Sequence, residues 1–126
     1  MTREDQKRIL IIEDDDDIRE IICYVLNLEG FKVYEHNRGL GAIEQVEQIH
    51  PDLILLDVIL GDADGRDICK ELKARPDTSK IPVIIISATH GWHTAHQKYC
   101  GANDYIQKPF DMDHLIEKVK DFAYNG

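Results

Sequence analysis

Runs of apolar residues alternate along the chain with stretches of helical period. Continuously apolar runs at 9–12, 53–56 and 81–86 predict central strands of a parallel sheet, because such strands are covered on both faces. Residues 31–36 and 104–107 predict two further strands. Four amphipathic stripes predict helices: Ile18, Ile21, Ile22, Val25 and Leu26; Leu40, Ile43, Val46 and Ile49; Ile68 and Leu72; and Leu115, Ile116, Val119 and Phe122.

The predicted order is a strand followed by a helix, repeated five times. This order is typical of a doubly wound α/β sheet, because parallel strands need crossovers and right-handed helical crossovers cover both faces. A fourth helix is expected over residues 90–100, where the stripe of Trp92, Ala95 and Tyr99 is thin, so we expect it to be short or mobile. The length of 126 residues, without a linker or repeat, predicts one domain spanning 1–126.

Composition excludes several classes of function. The formal net charge of -9 would repel a phosphate backbone, so direct binding to nucleic acid is not expected. No apolar run approaches the roughly 20 residues that cross a bilayer, and the N-terminus lacks a signal-peptide pattern, so we expect a cytoplasmic protein without membrane contact. Cys23, Cys69 and Cys100 are widely spaced and are expected to be reduced packing thiols.

Polar residues stand at the ends of the predicted strands. Glu13 and Asp14 follow the first strand, Asp57 and Ser87 follow two central strands, and Lys108 follows the last one. Ligands of open α/β sheets bind beyond the carboxyl ends of the strands, so these side chains are expected to converge. Three carboxylates would need a hard divalent cation, with Mg²⁺ the best fit, and a nearby lysine would favour phosphoryl transfer to a carboxylate nucleophile.

Each of these residues also has a simpler interpretation. The acids at 13–17 could form a solvated loop that caps the next helix, with Asp17 and Glu20 as a capping box. Asp57 could be a turn residue, Ser87 a turn hydroxyl and Lys108 a surface amine. Their joint placement at one edge favours the site over these separate roles.

The segments IIEDDDDIRE, DLILLDVILGDADG, PVIIISA and GANDYIQKPF together resemble the receiver family of two-component response regulators. The resemblance extends from the first strand to the last helix. It implies a CheY-like, flavodoxin-like fold with five parallel strands in the order 2-1-3-4-5. It also implies that Asp57 is the phosphoacceptor, and that Glu13, Asp14, Asp57 and the backbone carbonyl of Ile59 bind Mg²⁺.

The same resemblance assigns roles to residues near the acids. Lys108 and Ser87 would assist phosphoryl transfer, and the backbone N–H of Ala88 would donate to the phosphoryl group. Ser87 and Tyr105 would form the switch pair, with a half-buried strand aromatic as the alternative for Tyr105. The peptide bond before Pro109 would be cis.

The implied mechanism is transfer of a phosphoryl group to Asp57 from a phosphohistidine of a sensor histidine kinase or phosphotransfer protein. The receiver would catalyse its own modification, as a signalling switch and not an enzyme. Its signalling face, formed by the fourth helix, last strand and last helix, would then change shape for a downstream protein target. We expect a monomer that could dimerise on phosphorylation, and a stand-alone receiver, with a relay intermediate or a fragment of a longer regulator as alternatives.

The sequence departs from the family pattern beside Asp57. Gly61 replaces a common proline and 62–65 reads Asp-Ala-Asp-Gly, which predicts a looser loop there. The stretch between Ser87 and Gly101 is about one residue short. The bulky Ile59, which with Thr89 would flank the path of hydrolytic water, predicts slow self-dephosphorylation.

Other classes of function compete with this one. A haloacid-dehalogenase-type phosphatase would need an acid two residues after the nucleophile, where this chain has Ile59. A dinucleotide-binding domain is excluded, because no GxGxxG follows the first strand. Two further alternatives are a phosphate-independent protein-interaction module on the same fold and a metal-binding module built from His90, His93 and His96 with Cys100.

Overall fold

The computed structural model describes residues 6–88 and 100–125, which form a parallel sheet with helices on both faces. The strands of this sheet are β1 (Arg8–Ile12), β2 (Lys32–His36), β3 (Leu53–Asp57), β6 (Val83–Ser87) and β7 (Asp104–Gln107), and a hairpin consists of β4 (Ile59–Leu60) and β5 (Ala63–Asp64). The helices are α1 (Asp16–Leu28), α2 (Ala42–Ile49), α3 (Gly65–Ala74) and the C-terminal helix (Met112–Asn125).

The strand order of the sheet is β2-β1-β3-β6-β7, and every neighbouring pair is parallel. Numbered within this sheet alone, the order is 2-1-3-4-5, which confirms the predicted fold class. β3 and β6 are buried along their whole length, as their continuously apolar sequences predict. The hairpin of β4 and β5 is antiparallel and was not predicted.

Two hydrophobic clusters lie on opposite faces of the sheet. Successive side chains of β1 alternate between them, since Leu10 and Ile12 belong to one cluster and Ile9 and Ile11 to the other. The first cluster packs under α2 and α3, and the second packs under α1 and the C-terminal helix. The core therefore fixes the carboxyl ends of the strands from both sides.

Three predicted details of the elements are wrong. Leu40 lies outside α2 and is exposed, because the helix begins after Gly41, whose φ of 81° does not belong to a helix. The strand predicted from residue 81 begins at Val83, after Pro82, which cannot donate to a sheet ladder. In the stripe of α1, Ile21 is 55% exposed and does not enter the core.

The N-terminus of α1 is capped two residues earlier than predicted. The Asp15 carboxylate accepts a 3.1 Å hydrogen bond from the Ile18 backbone N–H, so Asp15 is the cap and the predicted capping box of Asp17 and Glu20 is wrong. In the described part of the chain, no helix combines the length and apolar character that crossing a membrane requires. The predictions for the fourth helix fall mainly on residues outside the described ones.

Candidate functional site

Acidic side chains from two neighbouring strands meet at the carboxyl edge of the sheet. Glu13 and Asp14 directly follow β1, and Asp57 is the last residue of β3. One ligand oxygen from each of the three lies within 4.8 Å of the others. Because β1 and β3 are adjacent and parallel, their ends coincide at this edge. The predicted convergence of the three carboxylates is confirmed.

Local hydrogen bonds hold Glu13 in place beneath the surface. Its side chain is 1% exposed, and its Oε2 accepts a 3.1 Å bond from the Asp15 backbone N–H. The Arg19 guanidinium donates to the Glu13 carbonyl oxygen at 3.0 Å, and the Glu13 N–H donates to the His36 carbonyl oxygen, also at 3.0 Å. These contacts orient the carboxylate toward Asp57 and Lys108.

Lys108 supplies the positive charge of the site. Its Nζ donates to Glu13 Oε1 at 2.9 Å and to Asp57 Oδ1 at 3.5 Å. Its backbone N–H donates to the Ser87 carbonyl oxygen at 2.8 Å, which fixes the lysine at the end of the sheet. Burial opposes the charged form of Lys108, but the hydrogen bond to Glu13 and the charge of Asp57 outweigh it, so the pKa of Lys108 is raised.

Asp57 is 5% exposed and lies close to a second carboxylate. Burial, followed by the charge and hydrogen bond of Glu13, raises the pKa of Asp57 to about 7. Lys108 and the Ile59 backbone N–H act in the opposite direction. Burial and the neighbouring carboxylate together therefore outweigh the effect of the Lys108 ammonium group on Asp57.

A divalent cation fits this set of groups. Hard cations such as Mg²⁺ prefer carboxylate oxygens, and three such oxygens lie within reach of one ion here. Asp14 is exposed, whereas Glu13 and Asp57 are buried, so the cluster opens to solvent on one side. The residues present thus form an acidic pocket of the kind that Mg²⁺ occupies.

Comparison with known proteins identifies the family. A sequence model of the response regulator receiver domain matches residues 9–120. The chain belongs to the response regulator receiver domain family. This membership favours the receiver over the phosphatase and dinucleotide-binding alternatives, and it confirms the family predicted from the motifs.

Individual relatives agree with this assignment. The phosphate regulon transcriptional regulatory protein PhoB of Escherichia coli is 37% identical over 121 residues, which cover 90% of this chain and 50% of PhoB. The chain thus spans about half the length of that relative. A putative response regulator from Chloroflexus aurantiacus is 31% identical, with a TM-score of 0.87 over 94% of this chain and 98% of the other.

A second solved structure is the BeF3-activated N-terminal receiver domain of Klebsiella pneumoniae RstA. It is 26% identical, with a TM-score of 0.86 over 94% of this chain and 100% of the other. These structures share the five-stranded parallel sheet of the receiver domain described above.

The receiver site needs a glycine at position 65, and the sequence motifs did not explain why. A Cβ atom at this position would lie 2.0 Å from the Asp57 carbonyl oxygen. The Gly65 N–H donates to the Val58 carbonyl oxygen at 2.7 Å, which holds the start of α3 against the end of β3. Only glycine allows the two backbones to approach so closely. The only indication of this requirement in the sequence was a glycine directly after the acidic Asp64.

The loop after Asp57 is held by several hydrogen bonds, contrary to the looser loop that the sequence predicts. The Asp62 carboxylate accepts from the backbone N–H groups of Gly39 and Leu40, at 2.7 and 2.9 Å. Asp64 caps α3 by accepting from the Arg66 N–H at 2.9 Å, and it also forms an ion pair with the Arg66 guanidinium. The missing proline is thus replaced by polar contacts that the sequence alone does not reveal.

The remaining predicted residues lie on β6 and β7 or directly after these strands. Ser87 is buried at the end of β6, and Ala88 follows it as an exposed residue. The peptide bond between Lys108 and Pro109 is cis, as the resemblance implies. Tyr105 is half-buried and packs against the first hydrophobic cluster.

The side chain of Ile59 is 63% exposed beside Asp57. Thr89, His90, His93 and His96 lie outside the described residues, so the predicted histidine metal site is not described. Cys100 is described and is buried.

An apolar groove of about 440 Å³ adjoins the acidic cluster. It lies between the first turns of α1 and the segment that leads into the C-terminal helix. Its lining consists of Asp17, Ile18, Ile21, Ala88, Lys108, Pro109, Phe110 and Met112. Because Lys108 belongs both to the groove and to the acidic cluster, a partner in the groove would reach the site.

Proposed function

We propose that this receiver domain accepts a phosphoryl group on Asp57 from a phosphohistidine of a sensor histidine kinase or phosphotransfer protein. One observation carries the proposal. The Asp57 carboxylate lies at the carboxyl edge of the sheet, with the Lys108 Nζ 3.5 Å away and the carboxylates of Glu13 and Asp14 beside it. This combination of a nucleophile, a cation and a divalent-metal pocket suits phosphoryl transfer.

Glu13, Asp14 and Asp57 would hold Mg²⁺, together with the backbone carbonyl of Ile59. When bound, Mg²⁺ neutralises the carboxylates and stabilises negative charge on the phosphoryl oxygens. Burial and the charge of Glu13 raise the pKa of Asp57, and this supports the assignment because a bound cation would offset both effects.

The residues of the chain then perform the transfer. A carboxylate oxygen of Asp57 attacks phosphorus, the new P–O bond forms, and the P–N bond breaks with its electron pair returning to the imidazole of the donor. Lys108, held by Glu13, places its positive charge next to the attacking carboxylate. The N–H of Ala88, immediately after β6, is the further donor to the phosphoryl oxygens.

Phosphorylation is proposed to act as a switch and not as a step of a multiple-turnover reaction. The Ser87 hydroxyl would turn toward the phosphoryl group, and Tyr105 would move into the space that it leaves. The signalling face around β7 and the C-terminal helix would then present a new shape to a downstream protein in the cytoplasm. The BeF3-activated state of the RstA receiver domain supports the existence of such a second state in this family.

The phosphodonor is proposed to lie in the apolar groove. Ile18, Ile21 and Met112 provide an apolar wall, and the groove leads directly to Lys108. An apolar helix of the donor protein placed there would bring its phosphohistidine to Asp57. Self-dephosphorylation is expected to be slow, since the exposed Ile59 side chain hinders water near the acyl phosphate.

Intact mass measurement after incubation with acetyl phosphate and Mg²⁺ tests the proposal. We expect a single phosphate adduct in the wild type, and its loss in Asp57→Ala or when the metal is removed with a chelator. Asp121→Ala, which changes an exposed acid of the C-terminal helix, serves as the matched control and should be modified like the wild type. Circular dichroism establishes that each variant is folded. No adduct in the folded wild type, or an equal adduct in Asp57→Ala, would sink the proposal.

A further inference from the structure

Cys69 and Cys100 contact each other within the first hydrophobic cluster. Cys69 lies on α3 and is fully buried, and Cys100 precedes β7 and is 2% exposed. The Cys69 thiol donates to the Cys100 carbonyl oxygen at 3.3 Å, which places the Cys69 sulfur next to the Cys100 backbone. Neither cysteine is in a disulfide in this structure. Two cysteines that are 31 positions apart in sequence are therefore already in contact.

Neighbouring contacts hold this arrangement. Lys73, one turn after Cys69, donates through Nζ to the Ile81 carbonyl oxygen and to Asn103 Oδ1, both at 2.8 Å. Asn103 in turn accepts from the Val83 N–H at 3.0 Å and donates its own N–H to the Val83 carbonyl oxygen at 2.8 Å. The turn at residues 100–103 is thus fixed against α3 and β6. Such fixation gives the two thiols a high effective concentration toward each other.

We propose that Cys69 and Cys100 form an intramolecular disulfide when the protein is exposed to hydrogen peroxide. No role in phosphoryl transfer uses these residues. Cys23 lies on α1, which packs on the opposite face of the sheet, so it is not a competing partner within the same cluster. The disulfide would link α3 covalently to the residue before the turn that leads into β7.

The reaction proceeds in two balanced steps. The Cys100 thiolate attacks one peroxide oxygen, an S–O bond forms, the O–O bond breaks, and the released hydroxide takes a proton to give water. The Cys69 sulfur then attacks the sulfenic sulfur of Cys100, the S–S bond forms, and the S–O bond breaks to release a second water. Two thiols are oxidised and one peroxide is reduced to two waters.

The environment distinguishes the two sulfurs. Interaction with Cys69 lowers the pKa of Cys100 despite burial, and Arg66 acts in the same direction. The hydrogen bond with Cys100, followed by burial, raises the pKa of Cys69. Cys69 is fully buried and its S–H is held by the Cys100 carbonyl oxygen, whereas Cys100 lies next to the exposed Gly101. We therefore assign the reaction with peroxide to Cys100 and the resolution of the sulfenic acid to Cys69.

Oxidation would affect the signalling face, because Tyr105 is close to both sulfurs. Their charges contribute to raising the pKa of Tyr105, after the effect of burial. A covalent link would fix the turn before β7 and hence the surroundings of this tyrosine. It would also restrict the unfolded chain, since the cross-link closes a loop between positions 31 residues apart.

The experiment uses Cys23→Ser, in which the proposed pair is the complete set of thiols. The folded protein is treated with hydrogen peroxide, and the remaining thiols are alkylated before intact mass and peptide mapping. We expect a loss of two hydrogen atoms, a cross-linked peptide joining Cys69 and Cys100, restoration by dithiothreitol, and an unfolding midpoint that is higher before reduction. Monomer size is checked by electrophoresis without reductant.

Wild-type protein treated in the same way provides a measurement without any substitution. The same cross-linked peptide, with Cys23 alkylated, supports the proposal even if a variant of the buried pair fails to fold. Two alkylated thiols in treated Cys23→Ser, or three in the treated wild type, would overturn it. Addition of oxygen atoms to Cys100 without the cross-link, or a disulfide that involves Cys23 or joins two chains, would also overturn it.

Discussion

Lys108 Nζ donates a 2.9 Å hydrogen bond to Glu13 Oε1 across 95 positions of sequence. This contact places an ammonium group between a buried glutamate and the proposed phosphoacceptor Asp57. It links the loop after β1 to the loop after β7, on either side of β3 in the sheet. The site therefore contains an ammonium group that binds the metal-ligand candidate Glu13 and the proposed nucleophile Asp57 at once.

Lys108→Ala tests this dependence. The initial rate of phosphorylation by acetyl phosphate is expected to fall by roughly 10- to 100-fold, because the phosphoryl oxygens lose a positive charge. The free energy of unfolding should fall by roughly 1–3 kcal/mol, because Glu13 is left buried without its cation. Lys118→Ala is the control, because it removes an ion pair to Asp104 at the opposite end of β7 from Lys108. A wild-type rate in Lys108→Ala, measured by quenched intact mass, would refute the role of the ammonium group.

Asp57→Asn is expected to stabilise the metal-free protein at pH 8, by roughly 1–3 kcal/mol. Burial and Glu13 raise the pKa of Asp57 from 3.8 to about 7, so ionisation of this group destabilises the folded state. The unfolded chain ionises near pH 4 and the folded chain near pH 7. The increase in the free energy of unfolding of Asp57→Asn over the wild type is therefore complete above pH 7 and shrinks as the pH falls toward 4.

The same variant tests the metal. Mg²⁺ should raise the urea midpoint of the wild type, since it binds the folded state alone, and should do so much less in Asp57→Asn. Addition of a chelator should reverse the shift. An equal Mg²⁺-dependent shift in both proteins would place the bound ion elsewhere.

Gly65→Ala is expected to lower the free energy of unfolding by roughly 1–3 kcal/mol and to slow phosphorylation. The new Cβ would lie 2.0 Å from the Asp57 carbonyl oxygen, so the backbone that carries the nucleophile must shift. Gly61→Ala is the matched control in the same loop, because its Cβ would meet Asp14 Oδ2 at an ordinary 3.6 Å. Equal effects of the two substitutions, by urea denaturation and intact mass, would argue against this reason for the glycine.

Asp62→Ala is expected to destabilise the protein at pH 7 and to have a smaller effect at pH 3. Hydrogen bonds from the N–H groups of Gly39 and Leu40 lower the pKa of Asp62. A carboxylate with a lowered pKa stabilises the fold above its unfolded pKa, and this stability is lost as the pH falls through the folded pKa. Thermal unfolding at both pH values, with Asp121→Ala as the exposed control, measures the difference. A deficit that persists unchanged at pH 3 would contradict the ionised-acceptor explanation.

Ile21→Glu is expected to reduce phosphotransfer from a histidine kinase that phosphorylates the wild type, by roughly 10-fold or more, because a charge would enter the apolar groove. Phosphorylation by acetyl phosphate should stay unchanged, since this small donor needs no groove. Leu28→Glu changes another exposed residue of α1, about 10 Å farther along the helix, and is the control. Equal losses with both donors would point to a damaged site and away from docking.

The sequence by itself determined the strands of the main sheet, the described helices that pack on it and the edge of the sheet at which the acidic side chains converge. Runs such as 53–56 are apolar on both faces, so only a central parallel strand accommodates them, and Asp57 then falls at its carboxyl end. Helical period located the buried residues Ile22, Leu26 and Val46 correctly. These features are local, because strand and helix periods repeat within a few residues.

Tertiary structure decided what depends on distant backbone. The cap of α1 is Asp15 and not Asp17, because the path of the chain out of β1 sets where helical hydrogen bonding begins. Leu40 is exposed because the loop that carries it is held by Asp62, 22 positions away.

The need for Gly65 and the meeting of Cys69 with Cys100 have the same origin. The sequence around Gly65, Cys69 or Cys100 gives no indication of the residue that each one meets. The 2.0 Å distance from a Cβ at position 65 to the Asp57 carbonyl oxygen, and the contact across 31 positions, arise only when α3 packs on the sheet. Local period fixes which residues are buried, whereas packing of whole elements fixes which buried atoms touch.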